Sequence, residues 1–139
     1  MQLPEKDYER LQTLCTRWGM SQDDIYYAIE SDLLRVCVWL PLRYIERRVF
    51  ENSAFIYEQH EPKEGFVCVR PNDLHKICST GYARLRSFRS VNKEGHILRL
   101  AYEPPQPSIA VGIHDLVVLK EDRINFEKTY NVSKQSENV

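Results

Sequence analysis

The strongest constraint on the fold lies near the start of the chain, where two helix patterns are separated by a glycine and followed by a β-rich run. Leu11, Leu14 and Cys15 recur at the spacing that places apolar side chains on one face of a helix. This spacing predicts a first helix over residues 3–18. Gly19 follows directly and is the residue type that most readily ends a helix.

A second helix is predicted over residues 22–31. Ser21 precedes it as a hydroxyl N-cap, and the acidic Asp24 follows three positions later, which is the spacing of a capping box. Residues 34–40 are apolar except for Arg35 and include Val36, Val38 and Trp39, which favour strands, and Pro41 follows them. They predict a strand directly after the second helix.

Over about thirty residues, this arrangement resembles the head of MerR-type and excisionase-type winged helix-turn-helix proteins. The resemblance rests on the apolar spacing, the turn at Gly19 and the cap at Ser21. It implies duplex DNA binding, with the second helix in the major groove and the following strand as part of a wing. On that helix it implies contacts to base edges or phosphates from Gln22, Tyr26 and Tyr27.

The charge distribution points to arginines outside the helical head as the source of any phosphate contact. The chain carries 19 Lys and Arg against 20 Asp and Glu, so it is not basic throughout, and residues 1–35 hold seven acids against four bases. Phosphates repel carboxylates and are neutralised by Lys and Arg. We therefore expect the phosphate contacts from two clusters elsewhere: Arg84, Arg86 and Arg89 on a predicted hairpin, and Arg43, Arg47 and Arg48 before it.

The remainder of the chain predicts an α+β fold: a helical head, a mostly antiparallel β-rich remainder and a C-terminal helix. Residues 42–50 fit either a short helix or an extended strand. The other predicted elements are strands at 54–57, 65–69 and 108–113, a loop at 58–64, a short helix at 74–78, a hairpin of 82–88 with 96–102, a proline-rich connector at 104–107 and a final helix at 115–130. The predicted organisation is a head with its strand over 1–50, a second lobe over 51–130 and a flexible tail over 131–139.

No catalytic or metal-binding motif is found in the sequence, so we expect neither an enzyme nor a bound metal or cofactor. The four cysteines lie in apolar segments without paired spacing, which predicts reduced, buried thiols and no zinc. His75 and Cys78 could form a thiolate–imidazolium pair, but a buried cysteine beside an exposed histidine is the simpler interpretation.

The polar start of the chain and the short apolar run at 36–42 predict a cytoplasmic protein without a membrane span. The leading functional hypothesis is a small DNA-binding regulatory protein of bacterial or phage type. The alternative is a protein-interaction or assembly module that uses the helix-turn-helix shape as a docking surface. Its anchors would be Tyr26, Tyr27 and Trp39, because aromatic side chains are favoured at the centres of interfaces.

Overall fold

The chain forms a large antiparallel sheet with helices packed against it. The structure is a computed structural model, and it describes residues 6–52, 54–101, 107–130 and 132. It confirms the predicted α+β class with a C-terminal helix. Within the described residues the helices are α1 (Leu11–Trp18), α2 (Gln22–Glu30), α3 (Pro71–Thr80) and α4 (Lys120–Thr129), with a 3-10 turn at Ile113–Asp115. The strands are β1 (Tyr8–Arg10), β2 (Cys37–Glu51), β3 (Ala54–Cys68), β4 (Tyr82–Leu85), β5 (Ser87–Arg89), β6 (His96–Leu100), β7 (Ile109–Gly112) and β8 (Val117–Leu119).

A long hairpin of β2 and β3 organises the sheet, whose strand order is β1-β8-β2-β3-β5-β6. Strand β6 also pairs with the second half of β2, so β2, β3, β5 and β6 close into a ring. A register shift lies between Leu40 and Arg43 in β2, and irregularities of this kind change the direction of a strand. Strands β4 and β7 pair separately as a second, two-stranded sheet.

The helical head follows the predicted plan except at its start. Gly19 ends α1 in the left-handed conformation, and the backbone N–H of Asp24 donates to the hydroxyl of Ser21 at 3.1 Å, so the predicted cap is confirmed. The prediction of helix from residue 3 is wrong for Tyr8–Arg10, which pair as β1 with β8. Backbone pairing with the edge of the sheet replaces the helical hydrogen bonds in this segment, and residues 3–5 lie outside the described part.

The strand pairing decides two predictions about the long hairpin, one for residues 42–50 and one for residues 58–64. Residues 42–50, left open between helix and strand, are extended because β2 has β3 on one side and β6 on the other. The loop predicted over 58–64 is wrong, since β3 runs unbroken through it. Pro62 fits within the strand because the described strands pair with the second edge of β3 only at Cys68.

The predicted hairpin of 82–88 with 96–102 is half right. Strands β5 and β6 pair as expected, but β4 pairs with β7, more than twenty residues further along. The final helix begins at Lys120 rather than at residue 115, because the 3-10 turn and β8 occupy the preceding positions. Helix α3 and strand β7 confirm the short helix and the strand predicted in those regions.

One main hydrophobic core joins the head to the rest of the molecule. Trp18 of α1 stacks on Phe126 of α4 with ring centroids 4.8 Å apart, and both belong to the same buried cluster. The predicted boundary at residue 50 falls at the end of β2, beside the hairpin turn. Except for Pro107, the predicted connector lies outside the described residues, as does the predicted tail except for Val132, which packs against the main core.

Candidate nucleic-acid interface

Four arginines line one pocket on the outside of the strand ring. The pocket has a volume of about 420 Å³, and its remaining lining consists of Phe50, Ser87 and Ile97. We call it the arginine pocket, defined by Arg48, Arg70, Arg86 and Arg99.

The strand register explains how residues from four segments meet there. Arg48 on β2 lies opposite Ile97 on β6, and Arg99 follows two positions later on the same face of that strand. Arg99 lies opposite Ser87 on β5, and the hydroxyl of Ser87 accepts a hydrogen bond from the guanidinium of Arg70 at 3.2 Å. The pocket therefore joins two arginines on strands, Arg48 and Arg99, to Arg70 before α3 and Arg86 between β4 and β5.

The positive charge of this pocket is only partly compensated. Arg48 donates from Nε to Glu46 at 2.6 Å and lies 3.7 Å from Glu58. Among the described residues, no carboxylate lies within ion-pair distance of Arg86 or Arg99, and none lines the pocket. The Nε atom of Arg86 is buried without a hydrogen-bond partner in the same set.

The other arginines predicted from the sequence lie elsewhere or are already paired. Arg47 forms an ion pair with Glu61 on the inner face of the strand ring. Its Nη1 atom also lies 3.1 Å from Nδ1 of the His96 imidazole. Arg89 pairs with Asp32, two residues after the end of α2, at 3.1 Å. The two remaining predicted residues are outside the pocket lining: Arg84 on β4 donates to Ser108 at 2.9 Å, and Arg43 lies opposite Lys63.

Sequence reasoning missed Arg70 and Arg99 as members of the site. Arg99 could have been found from strand alternation, because it follows Ile97 by two positions on a predicted strand. Arg70 follows β3 and precedes Pro71 at the start of α3. Only the pairing of β3 with β5 places it beside Ser87, so the local sequence gives no signal for it.

Helix α2 exposes two of the three side chains that the resemblance implies as nucleic-acid contacts. The side-chain amide of Gln22 donates to the hydroxyl of Tyr26, whose ring is half-buried against the main core. Tyr27 is 67% exposed, and the acidic Asp23 and Asp24 share the exposed first turn of the helix. Of the predicted contacts on this helix, Gln22 and Tyr27 are exposed, whereas Tyr26 is half-buried.

A second surface carries exposed aromatic side chains. Trp39 is 55% exposed and packs edge-on against Phe66, with ring centroids 5.2 Å apart. Tyr8 also contacts Phe66, with ring centroids 5.4 Å apart. These three rings and Arg10 line a groove of about 490 Å³, which we call the aromatic groove.

The cluster of Glu46, Glu58 and His60 could offer ligand atoms to a metal ion, since they lie within 4.8 Å of one another. Both carboxylates already interact with Arg48, and His60 contacts Glu58 at 3.0 Å. We therefore interpret this cluster as a surface ion-pair network.

None of the helices in the described residues is long and apolar enough to cross a membrane. Comparison of the chain with protein-family models, curated proteins and solved structures gives no significant match.

Proposed function

We propose that this protein is a small regulatory protein that binds duplex DNA, with backbone phosphates held in the arginine pocket. The observation that carries the proposal is the pair of half-buried arginines, Arg86 and Arg99, for which the described residues provide no carboxylate. Guanidinium groups bind phosphate oxygens through paired N–H donors, and these bonds are stronger than those between neutral groups.

The order of elements also supports the proposal. Helices α1 and α2 with their tight turn are followed by the β2–β3 hairpin, as the resemblance to winged helix-turn-helix proteins leads us to expect. The end of α2 lies beside the strands of the pocket, because Asp32 pairs with Arg89 on β5. Asp23 and Asp24 disfavour phosphate contact along the start of α2, so the arginine pocket must supply most of the electrostatic affinity.

The test is a titration of a mixed-sequence duplex over a series of salt concentrations. The slope of log K against log salt falls by about 0.9 for each phosphate that the protein no longer neutralises on duplex DNA. The double variant Arg86→Ala/Arg99→Ala should therefore bind more weakly to all sequences and show a slope reduced by about two. Arg84→Ala is the matched control, because Arg84 is an exposed arginine outside the pocket.

Two results would contradict DNA binding through this pocket. The first is the absence of duplex binding by the wild-type protein at low salt, where electrostatic attraction is greatest. The second is a wild-type slope in the double variant, with circular dichroism showing that the variant is folded. A reduced slope in Arg84→Ala alone would place the phosphate contacts on β4 instead.

The aromatic groove supports a second candidate function, a protein-interaction module. Trp39 has more than half of its surface exposed although it lies in a cluster with Tyr8 and Phe66, and exposed aromatic side chains of this kind commonly anchor interfaces. Peptides selected for binding from a random display library should lose affinity for Trp39→Ala and keep it for Tyr27→Ala. Selected peptides that bind both variants equally would exclude the groove as the docking surface.

A further inference from the structure

Two of the four cysteines face each other across adjacent strands. Cys37 at the start of β2 is the direct register partner of Cys68 at the end of β3, and their sulfur atoms lie 3.7 Å apart. Both side chains are buried, and with Val117 they form a small cluster distinct from the main core. The expectation of four separate thiols therefore missed a pair that only the strand register brings together.

The surroundings of the pair favour one thiol as the nucleophile. The hydrogen bond between the two thiols lowers the pKa of Cys68, and the guanidinium groups of Arg35 and Arg89 lower it further, against the opposing effects of burial and of the Asp122 carboxylate. The same hydrogen bond, together with burial, raises the pKa of Cys37. Two hydrogen bonds hold Arg35 in place, one to Asp122 at 2.9 Å and one to the carbonyl oxygen of Val91 at 2.8 Å.

The other two cysteines lack this activation. Burial raises the pKa of Cys15, and burial together with the nearby carboxylate of Glu30 raises the pKa of Cys78 to about 11. Since the thiolate is the reactive form, oxidation should favour Cys68 over Cys15 and Cys78.

Cys68 is 1% exposed but borders a pocket at the surface. It forms part of the wall of a pocket of about 420 Å³ that Arg35, Arg89 and the segment 90–97 complete. A molecule the size of hydrogen peroxide fits such a pocket, and the arginines can donate hydrogen bonds to its oxygens.

We propose that Cys37 and Cys68 form a peroxide-reactive dithiol that closes to an intramolecular disulfide. The Cys68 thiolate attacks one oxygen of hydrogen peroxide, the O–O bond breaks, and Cys68 sulfenic acid and hydroxide form. Cys37, on losing its proton, then attacks the sulfur of Cys68 and displaces the second hydroxide. Overall, two thiols are oxidised to one disulfide, and one peroxide is reduced to two molecules of water.

The backbone permits this bond with little movement. Directly opposed residues of an antiparallel pair have Cα atoms about 4.5–5.5 Å apart, which lies within the range of about 4.4–6.8 Å that disulfides use. Rotation about the side-chain bonds is therefore sufficient to bring the sulfur atoms to bonding distance. The inference is independent of DNA binding.

The test is peptide mapping of the folded full-length chain after treatment with hydrogen peroxide and alkylation of the remaining thiols. Trypsin places the four cysteines on four different peptides, because Arg70 precedes a proline and is not cleaved: 11–17, 36–43, 64–76 and 77–84. We expect a cross-linked product of 36–43 with 64–76, lighter than the sum of the two thiol peptides by two hydrogen atoms. Peptides 11–17 and 77–84 should remain alkylated.

Single variants separate the roles of the two thiols. In Cys37→Ser, dimedone should trap a sulfenic acid on peptide 64–76, whereas Cys68→Ser should give no adduct on peptide 36–43. The control Cys15→Ser/Cys78→Ser should form the cross-link at the wild-type rate. The proposal is overturned if peptides 11–17 and 77–84 of the wild-type protein become oxidised before peptides 36–43 and 64–76 are cross-linked. This result does not depend on the folding of any variant.

Discussion

The indole nitrogen of Trp18 donates a hydrogen bond to a carboxylate oxygen of Glu127 at 2.7 Å and so joins α1 to α4. Arg17 donates to the same oxygen at 2.9 Å, and Arg123 reaches the other oxygen at 3.0 Å. Arg123 is only 2% exposed, so its charge depends on a carboxylate partner. One acidic side chain thus satisfies three donors at the junction of the head and the C-terminal helix.

Replacement of this carboxylate should destabilise the whole fold. We expect Glu127→Gln to lower the free energy of unfolding by about 3 kcal/mol, because it removes the negative charge that accepts hydrogen bonds from Trp18, Arg17 and the buried Arg123. Urea unfolding at pH 7 measures the change. Glu121→Gln, an exposed position on the same helix, is the control and should change stability by less than about 1 kcal/mol. Equal effects of the two substitutions would contradict the role given to Glu127.

The same carboxylate should make stability depend on acid pH. Burial raises the pKa of Glu127, but hydrogen bonds from Trp18 and Arg17 and the charge of Arg123 lower it more, so the folded value lies below the ordinary one. Its contribution is therefore present above the unfolded pKa and is lost as pH falls through the folded pKa. We expect the difference in urea midpoint between wild type and Glu127→Gln to shrink as pH is lowered from 7 into the acid range. A constant difference over that range would contradict this assignment.

The sequence predicted the parts of this fold that depend on neighbouring residues. Gly19 and Ser21 act locally, through a left-handed turn and a side-chain cap, so the helical head could be placed from its own residues. The pairing of β4 with β7 joins segments that are distant in sequence, and no local pattern selects it.

The candidate sites were harder to predict for the same reason. Arg48 and Arg86 were identified from sequence, but Arg70 and Arg99 join them only through the register of the strands. Cys37 and Cys68 are 31 positions apart and become partners only because β2 and β3 form one long hairpin. In each case the sequence showed residue types suited to a site, but it did not show which of these residues lie close together in the fold.

Loss of the Ser21 cap should weaken α2. The hydroxyl of Ser21 accepts the backbone N–H of Asp24, one of the donors that a helix start leaves without an internal partner. We expect Ser21→Ala to reduce the free energy of unfolding by about 0.5–2 kcal/mol, measured in urea. Ser31→Ala, an exposed serine at the other end of the helix, serves as control. A Ser21→Ala midpoint equal to that of the control would show that the cap does not contribute.

Gly95 should tolerate substitution less well than Gly81, although both have positive φ angles. The angle is 81° at Gly95 and 92° at Gly81. A Cβ at Gly81 would meet open space. Gly81→Ala should therefore lower the free energy of unfolding by about 1–2 kcal/mol, the strain of a side chain in the left-handed conformation. A Cβ at Gly95 would collide with the carbonyl oxygen of Phe50, and the backbone N–H of Phe50 is already bonded to Gly95 at 2.8 Å. Because neither backbone can move without disturbing that bond, Gly95→Ala should destabilise by at least about 1 kcal/mol more than Gly81→Ala. Thermal or urea unfolding of the two variants compares them directly, and equal losses would mean that the turn before β6 can move away from Phe50.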